Sequence, residues 1–121
     1  MIAPALAGET EAFWLTCHAN GQPVGFCFTA PEEMTDRTWN LLAIGVLPDR
    51  QRCGIGAALV RAVEAELRQQ QQRLLLIETS GRSEFDGAHR FYKALGYTQA
   101  ARIPDFWAAG DDKVAFCKEL L

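Results

Sequence analysis

A glycine-containing turn between an apolar stretch and a long helical pattern is the part of this sequence best suited to chemistry. The apolar stretch ends at Val46, Pro48 stops it because proline has no backbone N–H to give a sheet, and Gly54 and Gly56 open the helical pattern. The first N–H groups of a helix lack partners within the helix, and the helix dipole adds partial positive charge there. Glycine lets an anion approach the main chain closely. We therefore predict a phosphate-binding loop at residues 51–57.

Two common phosphate-binding loops do not fit this turn. A Walker-type loop would continue with Gly-Lys-Ser or Gly-Lys-Thr, and the dinucleotide fingerprint would need a third glycine; both are absent. The remaining pattern is Gln51-x-x-Gly54-x-Gly56 after Val46-x-Pro48. On this pattern alone, a strand-to-helix turn that binds nothing stays an open alternative.

The same pattern resembles motif A of the GNAT superfamily of acyl-CoA-dependent N-acetyltransferases, in which the loop holds the pyrophosphate of coenzyme A. A second stretch, Phe91-Tyr92-x-x-Leu95-Gly96-Tyr97, is similar to the later motif of that family, which closes a helix. The two motifs stand in the family's order, and the resemblance covers residues 24–97. It implies acetyl-CoA as the co-substrate. The residues that the resemblance assigns to binding it are Ile44, Gly45, Val46, Gln51, Arg52, Cys53, Gly54, Ile55, Gly56 and Ala57.

The binding residues differ in how they are expected to act. By resemblance, the main-chain groups of residues 44–46 hold the pantetheine arm. Arg52 stands where the family often has glycine, and Cys53 replaces a common basic residue. Arg50, Arg52 and Arg90 are candidates to pair with the phosphates and compensate for these departures.

Acyl transfer from a thioester to an amine requires that the amine lose a proton and that the departing thiolate gain one. By resemblance, Tyr92 matches the family tyrosine that protonates the thiolate, although a buried tyrosine without a catalytic role is the alternative. The family often places an acid on the strand that here ends at Val46, and this strand has no carboxylate. We take Glu78, at the end of an apolar strand, as the substitute base, with Asn40 to hold a water. A solvated surface charge is the alternative for Glu78.

The elements that must position these residues follow from hydrophobic patterning. Residues 1–11 are predicted to be a loose arm, and three strands follow that should form an antiparallel meander. The helix from Ile55 has apolar residues at every fourth position, and the crossover through it makes the strand at 74–79 parallel to the strand that ends at Val46. Gly96 ends the second helix. The strands are predicted at 13–18, 24–29, 38–46, 74–79, 97–103 and 113–120, with a loop at 104–112.

The order βββαβαββ predicts an α+β fold with a mixed, mostly antiparallel central sheet flanked by helices, which is the GNAT-like fold that the resemblance implies. The chain has 121 residues, and we predict a single domain over residues 1–121. In the family a strand and two helices usually precede the meander, whereas only residues 1–12 precede Phe13 here. We therefore expect a shortened N-terminus and self-association, as in a homodimer, to cover the surface left exposed.

The composition argues against several other classes of protein. A net charge of −3 disfavours a nucleic-acid partner, and no apolar run is long enough for a membrane span. The four cysteines form no CxxC pair and the two histidines have no ligand spacing, so we expect no metal site. Reduced cysteines and the lack of a signal segment make the cytoplasm the default location.

These observations together predict an N-acetyltransferase that moves an acetyl group from acetyl-CoA to a primary amine by direct transfer in a ternary complex. The amine is carried by a small molecule or a peptide. The alternative is a non-catalytic acyl-CoA-binding module that has lost the acceptor pocket. Coenzyme binding does not separate the two, because both need residues 51–57.

Overall fold

The computed structural model describes residues 2–6, 12–51 and 53–121 of the chain. Over these residues the chain forms seven β-strands and two α-helices, with short 3-10 turns at Pro48–Arg50 and Ser83–Phe85. The strands are β1 (Ile2–Leu6), β2 (Phe13–Ala19), β3 (Gln22–Pro31), β4 (Thr38–Val46), β5 (Leu74–Ser80), β6 (Thr98–Ala108) and β7 (Asp111–Glu119). The helices are α1 (Ile55–Gln69) and α2 (Asp86–Ala94).

The strands form one mixed sheet in the order β1-β2-β3-β4-β5-β7-β6. Every neighbouring pair is antiparallel except β4 and β5, which run parallel because α1 carries the chain back between them. The predicted α+β fold, with a mixed, mostly antiparallel sheet and flanking helices, is therefore confirmed.

The prediction of a loose arm at residues 1–11 is wrong for Ile2–Leu6, which form β1 and pair antiparallel with β2. Small residues and Pro4 leave this segment without a strand pattern of its own. The free edge of β2 nevertheless offers hydrogen-bond partners, and proline is tolerated on an edge strand. Met1 and residues 7–11 lie outside the described residues.

The loop predicted at 104–112 is wrong for most of its length, because β6 continues to Ala108 and a two-residue turn leads directly into β7. Asp105 adopts a left-handed backbone conformation (φ 56°) where the ladder is irregular. Its amide donates to Asp112 Oδ1 (2.9 Å), and its carboxylate accepts from the Gly110 amide (2.7 Å). The hydrogen bonds that a loop would leave to water are therefore made within the hairpin.

Both helices pack on one face of the sheet, called here the helix face. Leu59 and Leu67 of α1 are fully buried on it, and the Tyr92 ring of α2 lies 5.9 Å from the ring of Phe116 on β7. Alternate strand residues point to the opposite side, called here the second face, where Trp14 and Phe26 contact each other and are 41% and 39% exposed. Self-association through this apolar surface stays a prediction.

A buried carboxylate ties the two helices to the last strand. Glu64 of α1 is 4% exposed and accepts hydrogen bonds from the Tyr97 hydroxyl (2.6 Å) and the Lys118 ammonium (3.2 Å). Lys118 also donates to the Leu95 carbonyl (2.8 Å) at the end of α2, and Arg68 pairs with Glu64 at 3.6 Å. Because each charge has partners, this network holds α2 in place without an orphaned ion.

We expect the free energy of unfolding to fall above pH 10, with Tyr97 as one cause. Burial, and then the nearby Glu64 carboxylate, raise the pKa of the Tyr97 hydroxyl well above its ordinary value of 10.0. Since the folded pKa is raised, this contribution is fully present below pH 10 and is lost at higher pH, by about 1.4 kcal/mol per unit. Urea unfolding between pH 8 and pH 11.5 should show a smaller alkaline loss for Tyr97→Phe than for the wild type. Equal losses would contradict this explanation.

Candidate active site

Strands β4 and β5 are joined over a short seam and then separate. The parallel pairing covers Thr38–Asn40 of β4 and Leu74–Leu76 of β5, and the rest of the two strands, which the structure describes in full, is not paired across the seam. Two residues beyond the seam, Leu42 is an extra residue opposite β3, and such a β-bulge bends a strand. The ends of β4 and β5 therefore enclose an opening, and α1 begins beside it.

A cleft of about 520 Å³ lies between the end of β4, the loop before α1, and α2. Of the ten residues predicted to bind the coenzyme, those that line this cleft are Ile44, Gly45, Val46, Gln51, Gly54, Gly56 and Ala57. Cys53 is exposed in the loop, and Ile55 points towards β3, where its Cγ2 lies 2.9 Å from the place of a Cβ on Gly25. Arg52 lies outside the described residues.

Helix α2 supplies the opposite wall of the cleft through Gly87, Ala88 and Phe91, which the sequence reasoning did not assign to it. Two small residues one turn before Phe91 were the available signal, since small side chains on a helix leave space beside it. The later motif therefore contributes to the cleft as well as to the core.

The start of α1 presents unpaired backbone donors to this cleft. Gly54 precedes the helix in a left-handed conformation (φ 81°), which favours glycine, and the first hydrogen bond of the helix runs from the Ala58 amide to the Gly54 carbonyl (3.0 Å). No described side chain caps this end, and the first turn holds no acidic residue. The amides of residues 55–57 are therefore available to an anion, and the helix dipole favours one there.

Glycine at position 56 keeps the cleft open, because a Cβ there would lie 3.3 Å from Phe91 Cζ across the gap. Gln51 braces the loop by donating from Nε2 to the Val46 carbonyl (3.3 Å). Arg90 lies at the rim, with Nη2 3.9 Å from the place of a Cβ on Gly87, and it makes no ion pair with any described residue. An exposed, unpaired guanidinium beside the cleft is suited to bind a phosphate.

Tyr92 lies in the second layer behind the cleft, next to the lining residue Phe91, with their ring centroids 5.2 Å apart. The side chain is 7% exposed, and burial raises the pKa of its hydroxyl. That hydroxyl has no hydrogen-bond partner among the described residues. Among the described residues, the side-chain polar atom that is both fully buried and without a partner is Thr29 Oγ1. The unpaired Tyr92 hydroxyl is therefore not fully buried and keeps some contact with solvent. The Tyr92 hydroxyl is therefore a protonated donor without a hydrogen-bond partner among the described residues.

The predicted base and its neighbour meet on the second face, just beyond the seam. Asn40 is 5% exposed and donates from Nδ2 to Glu32 Oε1 (2.7 Å) and, at 3.4 Å, to Glu78 Oε1. Lys113 of β7 donates to Glu78 Oε2 (2.8 Å). The sequence reasoning missed Glu32 and Lys113, because both contacts join residues far apart in the chain.

His89 fixes α2 to the end of β5. Its Nε2 lies 2.8 Å from the Ser80 carbonyl oxygen and 3.2 Å from Thr79 Oγ1, and its ring packs on Phe116. His89 precedes Tyr92 by about one helical turn, so this contact sets the position of the tyrosine. The sequence reasoning weighed His89 only as a possible metal ligand, rejected that role, and did not predict this contact.

The split between two parallel strands, with a glycine loop and unpaired helix amides beside it, agrees with the family that the chain matches. A family model described as "Acetyltransferase (GNAT) domain" matches residues 9–99. The chain belongs to this family. No curated protein sequence matches it.

Several solved structures superpose closely on this chain. A GNAT-family protein from Desulfovibrio desulfuricans is 32% identical with a TM-score of 0.87, over 91% of this chain and 70% of that chain. The ribosomal-protein-S18-alanine N-acetyltransferase from Escherichia coli is 23% identical with a TM-score of 0.81, over 93% and 71%. A GNAT family acetyltransferase from Elizabethkingia anophelis with acetyl-CoA bound is 17% identical with a TM-score of 0.84, over 98% and 97%. The last two show a shared fold.

Two other kinds of site are absent from the described residues. None of the described helices has the length and apolar character needed to span a membrane. No group of three or more His, Cys, Asp or Glu residues there is arranged to hold a metal ion.

Proposed function

We propose that this acetyltransferase moves an acetyl group from acetyl-CoA to a primary amine by direct transfer in a ternary complex. The observation that carries the proposal is the opening between β4 and β5, which is flanked by unpaired α1 amides on the helix face and by a carboxylate on the second face. Two substrates approaching from opposite faces of the sheet could meet there. Such an arrangement favours direct transfer over an acyl-enzyme route.

The cleft on the helix face fits the coenzyme. The amides of residues 55–57 and the Arg90 guanidinium suit its phosphates, and the unpaired edge of residues 44–46 suits the amide groups of its pantetheine arm. The protein from Elizabethkingia anophelis, which is about as long as this chain, holds acetyl-CoA on the same fold, and this supports the assignment. When bound, acetyl-CoA supplies the acetyl group as an activated thioester.

The protein's own residues then handle two protons. Glu78 accepts the proton that the amine loses, either directly or through a water held by Asn40. Tyr92 donates a proton to the departing sulfur. A raised pKa suits this role, because the tyrosine hydroxyl stays protonated at neutral pH. One bond forms between nitrogen and the carbonyl carbon, and one breaks between that carbon and sulfur.

A second candidate function is a non-catalytic acyl-CoA-binding module. The observation that favours it is the ion pair between the predicted base Glu78 and Lys113, whose Nζ lies 2.8 Å from Glu78 Oε2. A base held by an internal cation is not free to accept a proton from a substrate unless that cation moves.

One experiment tests the proposal and separates the two candidates. We expect acetyl-CoA to raise the melting temperature, because a ligand bound only by the native state stabilises it. A panel of primary amines with acetyl-CoA should then yield an N-acetylated product, detected by mass spectrometry together with free thiol. Stabilisation without an acetylated amine supports the binding module, and no stabilisation at all refutes both.

We further propose that the enzyme acts in the cytoplasm on a small-molecule or peptide amine, without a nucleic-acid partner, and that it forms a homodimer. Four free cysteines support the location, since oxidising compartments favour disulfides. The net charge of −3 is compatible with a cationic substrate. The exposed rings of Trp14 and Phe26 support self-association.

A further inference from the structure

A carboxylate and two aromatic rings on the second face surround the ammonium of Lys113. Lys113 donates to Glu78 Oε2 over 2.8 Å, and the two side chains are only 16% and 20% exposed. The same ammonium lies 4.2 Å from the centre of the Phe106 ring and 5.9 Å from that of Trp107. Aromatic faces attract cations at these distances. We call Glu78, Phe106 and Trp107 the cation box.

The cation box is fixed by its surroundings but open on one side. The Phe106 and Trp107 rings stand at 87° with their centroids 4.7 Å apart. The Trp107 indole donates to the Thr79 carbonyl (3.2 Å), which ties the β6–β7 hairpin to β5. The rings are 48% and 47% exposed, so a molecule from solvent can reach the box without moving the sheet.

The cation box lies beside the opening between β4 and β5, where the acceptor amine would have to bind. Glu78 lies two residues beyond the seam, and its second oxygen contacts Asn40, the last β4 residue paired with β5. A general base must lie within hydrogen-bond distance of the nitrogen that it deprotonates. Lys113 Nζ already has this position, so an acceptor amine must take its place.

We propose that the cation box is the amine-recognition site, that the Lys113 ammonium occupies it as a surrogate for the substrate, and that the acceptor is an unbranched alkyl primary amine that displaces Lys113. The inference rests on the proposed function, because it takes Glu78 as the base. The resident side chain shows what the box accepts: a primary ammonium on a straight methylene stem, with aromatic faces beside the charge. Free alkylamines and lysine side chains of peptides share this chemistry.

Lys113 also sets the affinity for the acceptor. A ligand that binds only the open form has an apparent Kd equal to its intrinsic Kd divided by the open fraction. Because Lys113 fills the box in the ground state, the wild type binds amines weakly. Lys113 is therefore a specificity-determining residue, which admits amines able to compete with it.

Isothermal titration with n-butylammonium chloride, without acetyl-CoA, tests the proposal. Lys113→Met keeps most of the stem but removes the charge and leaves Glu78 Oε2 open, and we expect its Kd to be lower than that of the wild type by about tenfold or more. Lys113→Arg keeps a cation in the box and should bind like the wild type. Lys93→Met, at an exposed position of α2 away from the box, removes the same charge and should leave the Kd for n-butylammonium unchanged.

Two further measurements make the result decisive. Adding Glu78→Gln to Lys113→Met should cancel the gain in affinity for n-butylammonium, because the Glu78 carboxylate is the anion that attracts the amine. Nα-acetyl-lysine methylamide, titrated in parallel, shows whether Lys113→Met raises the affinity for a peptide-borne amine as it does for the free amine. Lys113→Gln replaces the Met variant if melting curves show that the latter is unfolded. Equal affinities in the wild type and the uncharged variant would overturn the proposal, even if acetyl-CoA binds normally and turnover is observed.

Discussion

The Gly56→Asp variant should bind acetyl-CoA more weakly by about 100-fold or more, as measured by isothermal titration. The added Cβ would lie 3.3 Å from Phe91 Cζ across the cleft, and the carboxylate would stand among the α1 amides that we assign to the phosphates. Losing two charge-assisted hydrogen bonds of about 1.5 kcal/mol each accounts for this factor. The same carboxylate favours the helix, because negative charge near a helix N-terminus is stabilising. Binding should therefore fail in a protein that still folds.

Two controls separate the causes of this loss. Gly56→Ala adds only the methyl group, so it reports the steric part of the effect. Ala65→Asp places the same charge on an exposed position in the middle of α1, away from the cleft, and should bind acetyl-CoA like the wild type. A folded Gly56→Asp variant with unchanged affinity would refute the assignment of the phosphate site.

The Tyr92→Phe variant should lose about 100-fold in turnover, the usual scale for one acid–base group, while its affinity for acetyl-CoA is kept. The phenylalanine ring preserves the packing against Phe91 and Phe116. Because the hydroxyl has no partner among the described residues, its removal orphans no described group, and the free energy of unfolding should change by less than about 0.5 kcal/mol. Steady-state kinetics and urea unfolding check the two expectations.

Tyr97→Phe is the matched control, because it removes a hydroxyl that is bonded to Glu64 instead of being free. It should cost about 1–3 kcal/mol of stability at neutral pH, since a buried carboxylate loses a donor, and should leave turnover unchanged. If Tyr92 is the acid, Tyr92→Phe should therefore lose turnover but not stability, and Tyr97→Phe should lose stability but not turnover. Normal turnover in Tyr92→Phe would leave the residue with a packing role only.

Local signals made much of the fold predictable. Pro48, Gly54 and Gly96 mark the ends of elements through effects that reach only a few residues. The apolar residue at every fourth position from Ile55 predicts a helix without knowledge of what packs against it. Strand β1 and the end of β6 were missed because their own residues carry little pattern. Both are held by hydrogen bonds to an adjacent strand, and such a partner is not visible in a short window of sequence.

The candidate site divides in the same way. The residues before and within the glycine loop were predictable because they are contiguous. Phe91 as a wall of the cleft, Glu32 beside Asn40 and Lys113 on Glu78 were not predictable, because each contact depends on how distant segments meet in the sheet. Sequence patterning therefore predicted which residues before and within the glycine loop line the cleft better than it predicted the surroundings of Glu78.

The short seam between β4 and β5 also joins two parts of the domain. One contains β1 to β4, the other β5 to β7 with α2, and the strands join them through Thr38–Asn40 and Leu74–Leu76. Beside this pairing, Asn40 donates to Glu78, and the amides of Arg73 and Leu74 donate to the Arg37 carbonyl. Glu64 of α1 adds the contacts with Tyr97 and Lys118.

The β4–β5 pairing covers three residue pairs, whereas β3 and β4 pair at seven. We therefore expect amide exchange at the seam to be faster than within the β2–β3–β4 meander. A ligand bound in the cleft would contact both β4 and α2, and therefore both parts of the domain. The cleft that we propose for acetyl-CoA would then also stabilise the association of these parts.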